Sequence, residues 1–480
     1  MKFNYWLALS LILFSLYSCQ IEINKPPFNT SNDDTSLFFS SDSTGGFGTL
    51  TTNLQVGMSA RAIYPTTPVS LSGFGSPLRR LIPPDLINIG NSSTFCKPFQ
   101  TIDHAPRIKV ILFKGQSNNQ DYYYLLLNLD IVAIPIDFNL KILNELKKTY
   151  PNLNLSHANV QFLATHTHSG PAGLTNNPFW AAAVCDRFNP QIFDLVKEQI
   201  ILTMNDALNN LGNIQSYDTA NYKASGYNFT RFAGMTVDRS TFYLNLKDSN
   251  ANSLACMKIF SGHPTWFGTS DLTFSADFVG YLEESLQNLT HSNTCAFFNS
   301  VVGNASIDAI DKTDAKMNFT SSFANETLSN LSHYSNSLSL NFGTTFIHLP
   351  GFEINYAGCG INSGFFPQKY LNDLFNIRAS DVTNNITKIS WFSIGSNYFF
   401  LFPGEPLFDT KELLQTMLAN NFPNITSAIV LSTANDYVGY LMTNNNYSVK
   451  NIDTCSTMHG PNTSATIIDR FKDSLHQFGF

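Results

Sequence analysis

Residues 122–164 read YYYLLLNLDIVAIPIDFNLKILNELKKTYPNLNLSHANVQFLA. The apolar run from Tyr122 to Ile136 reads as a strand. Asn139 to Tyr150 then sets Leu140, Ile142, Leu143 and Leu146 at helical spacing, and Asn159 to Ala164 returns to a strand. The same alternation extends in both directions. Ile108 to Phe113 is a strand before this unit, and Pro190 to Leu211 is the longest helical pattern after it. Strands follow at Thr241 to Leu246, Leu254 to Phe260, Cys295 to Val302, Lys388 to Phe392, Asn397 to Phe402 and Ser427 to Ser432. Helices are expected over Asp277 to Leu289, Leu407 to Asn420 and from about Ser464. Such alternation predicts an α/β layered domain.

Composition narrows the classes. Of 480 residues, 13% are charged, 43% hydrophobic and 13% aromatic. That excludes a disordered or coiled-coil chain, and a net charge of −7 lacks the electrostatic footprint of a nucleic-acid binder. Met1-Lys2 leads into an apolar run from Trp6 to Tyr17, too short for a membrane span, which reads as an export signal. Leu16-Tyr17-Ser18-Cys19 resembles a bacterial lipobox, so residues 1–19 are expected to be a lipoprotein-type signal, with a plain cleaved signal as the alternative. Residues 20–49, rich in Asn, Ser, Asp and Pro, read as a flexible tether. No second linker follows, so residues 50–480 are expected to form one large domain. If Cys19 carries lipid, six cysteines remain: Cys96, Cys185, Cys256, Cys295, Cys359 and Cys455. None forms a C-x-x-C pair, and export permits up to three disulfides or a set of buried thiols.

The chemically capable residues fall directly after apolar strands. They are Thr165-His166-Thr167-His168, His263, Ser306, Glu405 and the Tyr437-to-Tyr440 segment. Ligands in open α/β sheets gather beyond the carboxyl ends of strands, so these segments are candidates for one site. In extended chain His166 and His168 would face one pocket, either as metal ligands or as satisfied histidines of a polar loop. Gly170 and Gly173 would let the backbone turn there.

His166-Thr167-His168-Ser169-Gly170-Pro171-Ala172-Gly173 resembles a signature of the neutral, non-lysosomal ceramidases, zinc-dependent amidases of N-acylsphingosines. Five further segments resemble that family in its own order. They are Val56-Gly57-Met58-Ser59-Ala60-Arg61, Val302-Gly303-Asn304-Ala305-Ser306-Ile307, Pro403-Gly404-Glu405, Asn435-Asp436-Tyr437-Val438-Gly439-Tyr440, and Ser456-Thr457-Met458-His459-Gly460-Pro461. The resemblance implies a two-sheet α/β sandwich flanked by helices, without the family's second, immunoglobulin-like domain. It implies Zn2+ held by His166, His263, Glu405 and Tyr440, which are ordinary zinc ligands except for the phenol. It makes Ser306 the nucleophile, His168 a proton shuttle or oxyanion partner, and Arg231 and Tyr447 its helpers. Asn304 and Ile307 depart from the family's Asp and Pro, Pro264 stands where it has Gly, and Ile452 and His459 replace two aromatic positions. The expected activity is hydrolysis of a ceramide-like N-acyl lipid at a membrane surface. A non-catalytic lipoprotein scaffold and a zinc hydrolase of another amide or ester are the alternatives.

Overall fold

Three stretches of alternating apolar residues decide how the chain packs, because each has a side for the centre of the molecule and a side for a helix layer. The computed structural model describes residues 46–74, 79, 96–117, 120–177, 180, 186–308, 310–335, 337–351, 386–447 and 457–480. The expected signal and the body of the expected tether, together with Cys19, Cys185, Cys359, Ile452 and Cys455, lie outside the described residues.

The first sheet is built from β2 (Thr52–Ala62), β3 (Arg107–Ser117), β4 (Gln120–Leu129), β5 (Val160–Ala164) and β6 (Gly212–Asn213), after an initial strand β1 (Gly46–Leu50). Helix α1 (Ile136–Thr149) joins β4 to the parallel β5, and α2 (Pro190–Asn209) follows. The second sheet holds β7 (Ser216–Lys223), β8 (Ser240–Lys247), β9 (Ser253–Phe260), β10 (Cys295–Asn299) and β11 (Ser332–Tyr334). Here α3 (Phe278–Thr290) joins β9 to the parallel β10, and α4 (Thr313–Ser329) follows. The third sheet holds β12 (Leu340–His348), β13 (Ile386–Ile394), β14 (Asn397–Leu401), β15 (Ser427–Leu431) and β1. Helix α5 (Phe408–Asn421) joins β14 to the parallel β15, and α6 (Thr463–Phe478) follows.

The three sheets therefore share one connectivity: three antiparallel strands, a helix, a parallel edge strand, a second helix and a short strand on the opposite edge. In the third sheet that short position is filled by β1 from the start of the domain, so the ends of the domain meet, with Phe47 against Phe478. Alternation sorts the side chains. Tyr124 and Leu126, Met257 and Ile259, and Phe399 and Leu401 point into one shared central core. Their neighbours turn outward: Leu125 and Leu127 toward α1 and α2, Cys256 and Phe260 toward α3 and α4, Phe400 and Phe402 toward α5 and α6. Strands buried on both faces lose polar alternation, which is why they read as continuous apolar runs.

The α/β class, the flanking helices and the single large domain agree with expectation. Among the described residues there are three five-stranded sheets where two were expected, with three two-stranded ladders beside them, because β2, β7 and β12 complete sheets that the apolar runs alone outline only partly. Residues 46–49, expected to end the tether, are strand, and the expected strand from Tyr122 to Ile136 ends at Leu129. Cys256 and Cys295, paired in register on β9 and β10, form a disulfide.

Candidate active site

The parallel strands of all three sheets end at one place. His166 follows β5, His263 follows β9, and Glu405 follows β14. Each sheet thus supplies one donor. The rings of His166 and His263 are 4.8 Å apart between centroids, and Glu405 lies between them, with Oε1 3.3 Å from His166 Nε2 and Oε2 3.1 Å from His263 Nε2. His168 completes the cluster, its Nε2 3.4 Å from His166 Nε2.

The histidine orientations are fixed by backbone carbonyls. His166 Nδ1 donates to Val132 O (2.6 Å) and His263 Nδ1 donates to Ala305 O (3.0 Å), so both Nε2 lone pairs face inward. His166 and His168 do converge, but not through extended chain. His166 has φ of 70°, a left-handed conformation unfavourable for a side chain with Cβ and characteristic of sites where geometry outranks local stability. Behind it Gly170 is obligatory, since a Cβ there would lie 2.5 Å from Asp130 O.

Asn299, at the end of β10, sets the spacing of two donors, a role that sequence reading missed. Its Nδ2 donates to Thr165 O and Gly262 O, both at 2.9 Å, and its Oδ1 accepts from Gly262 N at 3.1 Å. Its carbonyl accepts from Ser432 N of the third sheet at 2.9 Å. Buried Arg79 does similar work on the other side, donating to His168 O and to Gly268 O. Nothing in the local sequence of either residue distinguishes it from a core polar group.

Burial, reinforced by His166 and His263, holds the His168 imidazole well below its usual range, and burial with nearby Arg231 lowers His263 to about 4. Burial alone would raise Glu405, but the two imidazoles outweigh it and keep the carboxyl well below its normal value. Imidazole nitrogens around an ionised carboxylate form a donor set for a metal ion. His263 Nε2 and Glu405 Oε2 are buried without a directed hydrogen bond, as donors held for an ion would be. The ligand atoms of His166, His168 and His263 all lie within 4.8 Å of one another.

Tyr440 pairs in parallel register with Glu405, which sets it beside the cluster. Its hydroxyl meets the guanidinium of Arg231, which also donates to Gly303 O at 3.2 Å. The hydroxyl that reaches Glu405 Oε1 is that of Tyr437. Tyr447 packs with Met235 against the cluster of Phe232, Leu407, Tyr440 and Met442. Ser306 stands opposite Phe229 in a two-stranded ladder and is bridged to His263 through the backbone. Asn304 is buried with both ends engaged, Nδ2 on Thr236 O and Oδ1 on Phe408 N. Ile307 fills the space above Gly262, where a Cβ would lie 2.5 Å from its Cδ1. His459 is buried, with Nδ1 donating to Pro350 O at 2.9 Å.

Comparison with known proteins now has a geometry to meet. Residues 110–336 match the family described as neutral/alkaline non-lysosomal ceramidase, N-terminal. The resemblance drawn from the six motifs is borne out. The chain has the fold of neutral ceramidase from Pseudomonas aeruginosa, with a TM-score of 0.71 at 18% identity, covering 88% of this chain and 74% of that one. A ceramidase structure complexed with C2 matches equally well, with a TM-score of 0.70 at 17% identity over 89% of this chain and 76% of the other. The matched segment contains His166, His168, Arg231, His263 and Ser306, whereas Glu405, Tyr440 and Tyr447 lie beyond it.

Proposed function

We propose that this chain is a zinc-dependent amidohydrolase that cleaves the N-acyl bond of ceramide-like lipids, exported and held at a membrane surface by lipid on Cys19. One observation carries the reading: a buried imidazole from each of two sheets and a buried carboxylate from the third converge beside Ser306. His166, His263 and Glu405 would hold the ion with Tyr440 as the fourth donor; once bound, zinc supplies Lewis-acid polarisation of the amide carbonyl.

The remaining steps fall to the chain's own groups. Ser306 Oγ attacks the carbonyl carbon and its proton passes to His168, which burial keeps neutral and able to accept it. The oxyanion is stabilised by donors from Arg231 and Tyr447. His168 returns the proton to the amine as the C–N bond breaks, and water then hydrolyses the acyl-serine. Phe229, 41% exposed and opposite Ser306, offers an apolar surface where a lipid chain would lie.

The Cys256–Cys295 disulfide supports an oxidising compartment. Among the described residues no helix is long and apolar enough to cross a membrane, so attachment in this reading rests on Cys19. Metal analysis of the purified protein beside hydrolysis of a fluorescent N-acylsphingosine tests the proposal. Wild type should carry one zinc and cleave the substrate in the membrane fraction, and His166→Ala should lose both metal and activity. A zinc-loaded wild type that cleaves no N-acyl lipid would leave a binding scaffold instead.

A further inference from the structure

The resemblance directs attention to Tyr440, yet the phenol touching the buried carboxylate is Tyr437. Resting on the metal reading above, we propose that Tyr437 is the positioning residue for Glu405: its hydroxyl engages one carboxylate oxygen so that the other is presented to the ion.

Four observations support this. Tyr437 OH donates to Glu405 Oε1, while Oε2 is directed at His263 Nε2. The ring meets Trp180 edge-on at 4.7 Å and lies at a shallow angle to the His166 ring, 6.4 Å between centroids. The backbone is fixed as well, since Tyr437 N donates to Asp436 Oδ1 at 2.7 Å and Val438 N to Pro403 O at 2.8 Å, beside the Gly404-Glu405 turn. Finally, Tyr437 packs on Val132 and Ala133, and the carbonyl of Val132 is the group that orients His166. One residue is thus mechanically coupled to two of the three donors.

The chemistry follows from the carboxylate. Free Glu405 could swing between His166 and His263. A phenolic O–H on Oε1 forms a charge-assisted hydrogen bond that fixes the plane of the group and favours one-oxygen coordination through Oε2. Tyr440, whose hydroxyl meets Arg231 rather than Glu405, is left for the ion itself.

Metal-free wild type, Tyr437→Phe and Tyr440→Phe should each be titrated with Zn2+ against a competing chelator, and the cobalt(II) forms compared by visible absorption. Tyr437→Phe removes one hydroxyl and keeps the ring. It should weaken zinc affinity by about 10-fold to 100-fold, the usual scale for losing a partner of a ligand. It should also change the cobalt spectrum while the metal-free protein melts within a few degrees of wild type. Unchanged affinity and spectrum would overturn the proposal, as would a metal-free variant that melts far below wild type, because the hydroxyl would then be structural. Failure of wild type itself to bind zinc would overturn the metal reading, an outcome distinct from equal binding by wild type and variant.

Discussion

Ser306 and Asn304 sit two residues apart and meet different fates. Ser306 stands in a short ladder at the edge of the site, where its hydroxyl can be removed at little structural cost. Ser306→Ala should therefore lower turnover by several orders of magnitude if the serine attacks, and by only about 10-fold to 100-fold if water does, with zinc content unchanged in both cases. A variant as active as wild type would remove Ser306 from the mechanism. Asn304 looks in sequence like a weakened acid, but its amide donates to Thr236 O, a bond no carboxylate can make. At this scale the sequence is legible where chemistry is local: His166, His168 and His263 were visible because each comes just after an apolar strand. Asn299 and Arg79 were not, since their partners lie on other elements and their identities are ordinary for a core or a turn; Tyr437 stood out with its segment, but its contact with Glu405 did not.

Elements show a parallel division. Strands such as β4, β9 and β14 were legible from their apolar runs, whereas β7, with sequence SYDTANYK, lacks such a run. Helix α4 was missed because, among its buried residues Lys316, Thr320, Phe323, Ala324 and Thr327, only Phe323 is a large apolar side chain. One clamp between elements makes a pH prediction. His104, when protonated, donates from Nδ1 to Asp103 (2.6 Å) and from Nε2 to Glu284 of α3 (2.8 Å), and Tyr281 OH donates to Asp103 at 2.6 Å. Burial would lower the imidazole, but the two carboxylates outweigh it and raise its pKa above the ordinary 6.5; Asp103, in spite of burial, is lowered by His104 and Tyr281. A raised base contributes fully below its unfolded pKa and loses that contribution as pH climbs through the folded value. His104→Gln should thus lower the melting temperature relative to wild type at pH 6 and narrow that gap by pH 9. An identical gap at both pH values would contradict the assignment.

Across the whole molecule, the sheets are joined by buried charge as well as by their common core. Lys109 of the first sheet lies 2.6 Å from Asp130 and 2.8 Å from Glu283 of α3, all three fully buried, and Arg107 also meets Glu283. Removing the cation alone strands two carboxylates, so Lys109→Met should cost about 3–5 kcal/mol in denaturant unfolding. A loss below about 1 kcal/mol would mean that water or Arg107 takes over. The layered class was legible from sequence because alternation is a short-range signal. The threefold arrangement was not, because strands such as β7 that complete the sheets carry little apolar signal, and β1 reaches the last sheet only through a long-range pairing. That arrangement also makes the site a coincidence device. With one donor per sheet, any chain in which a single sheet is undocked offers an ion only an incomplete set of donors, and its hold weakens steeply with each lost ligand. On the reading proposed above, metal loading would then report the docking of all three sheets, and a partly assembled chain would stay without its ion.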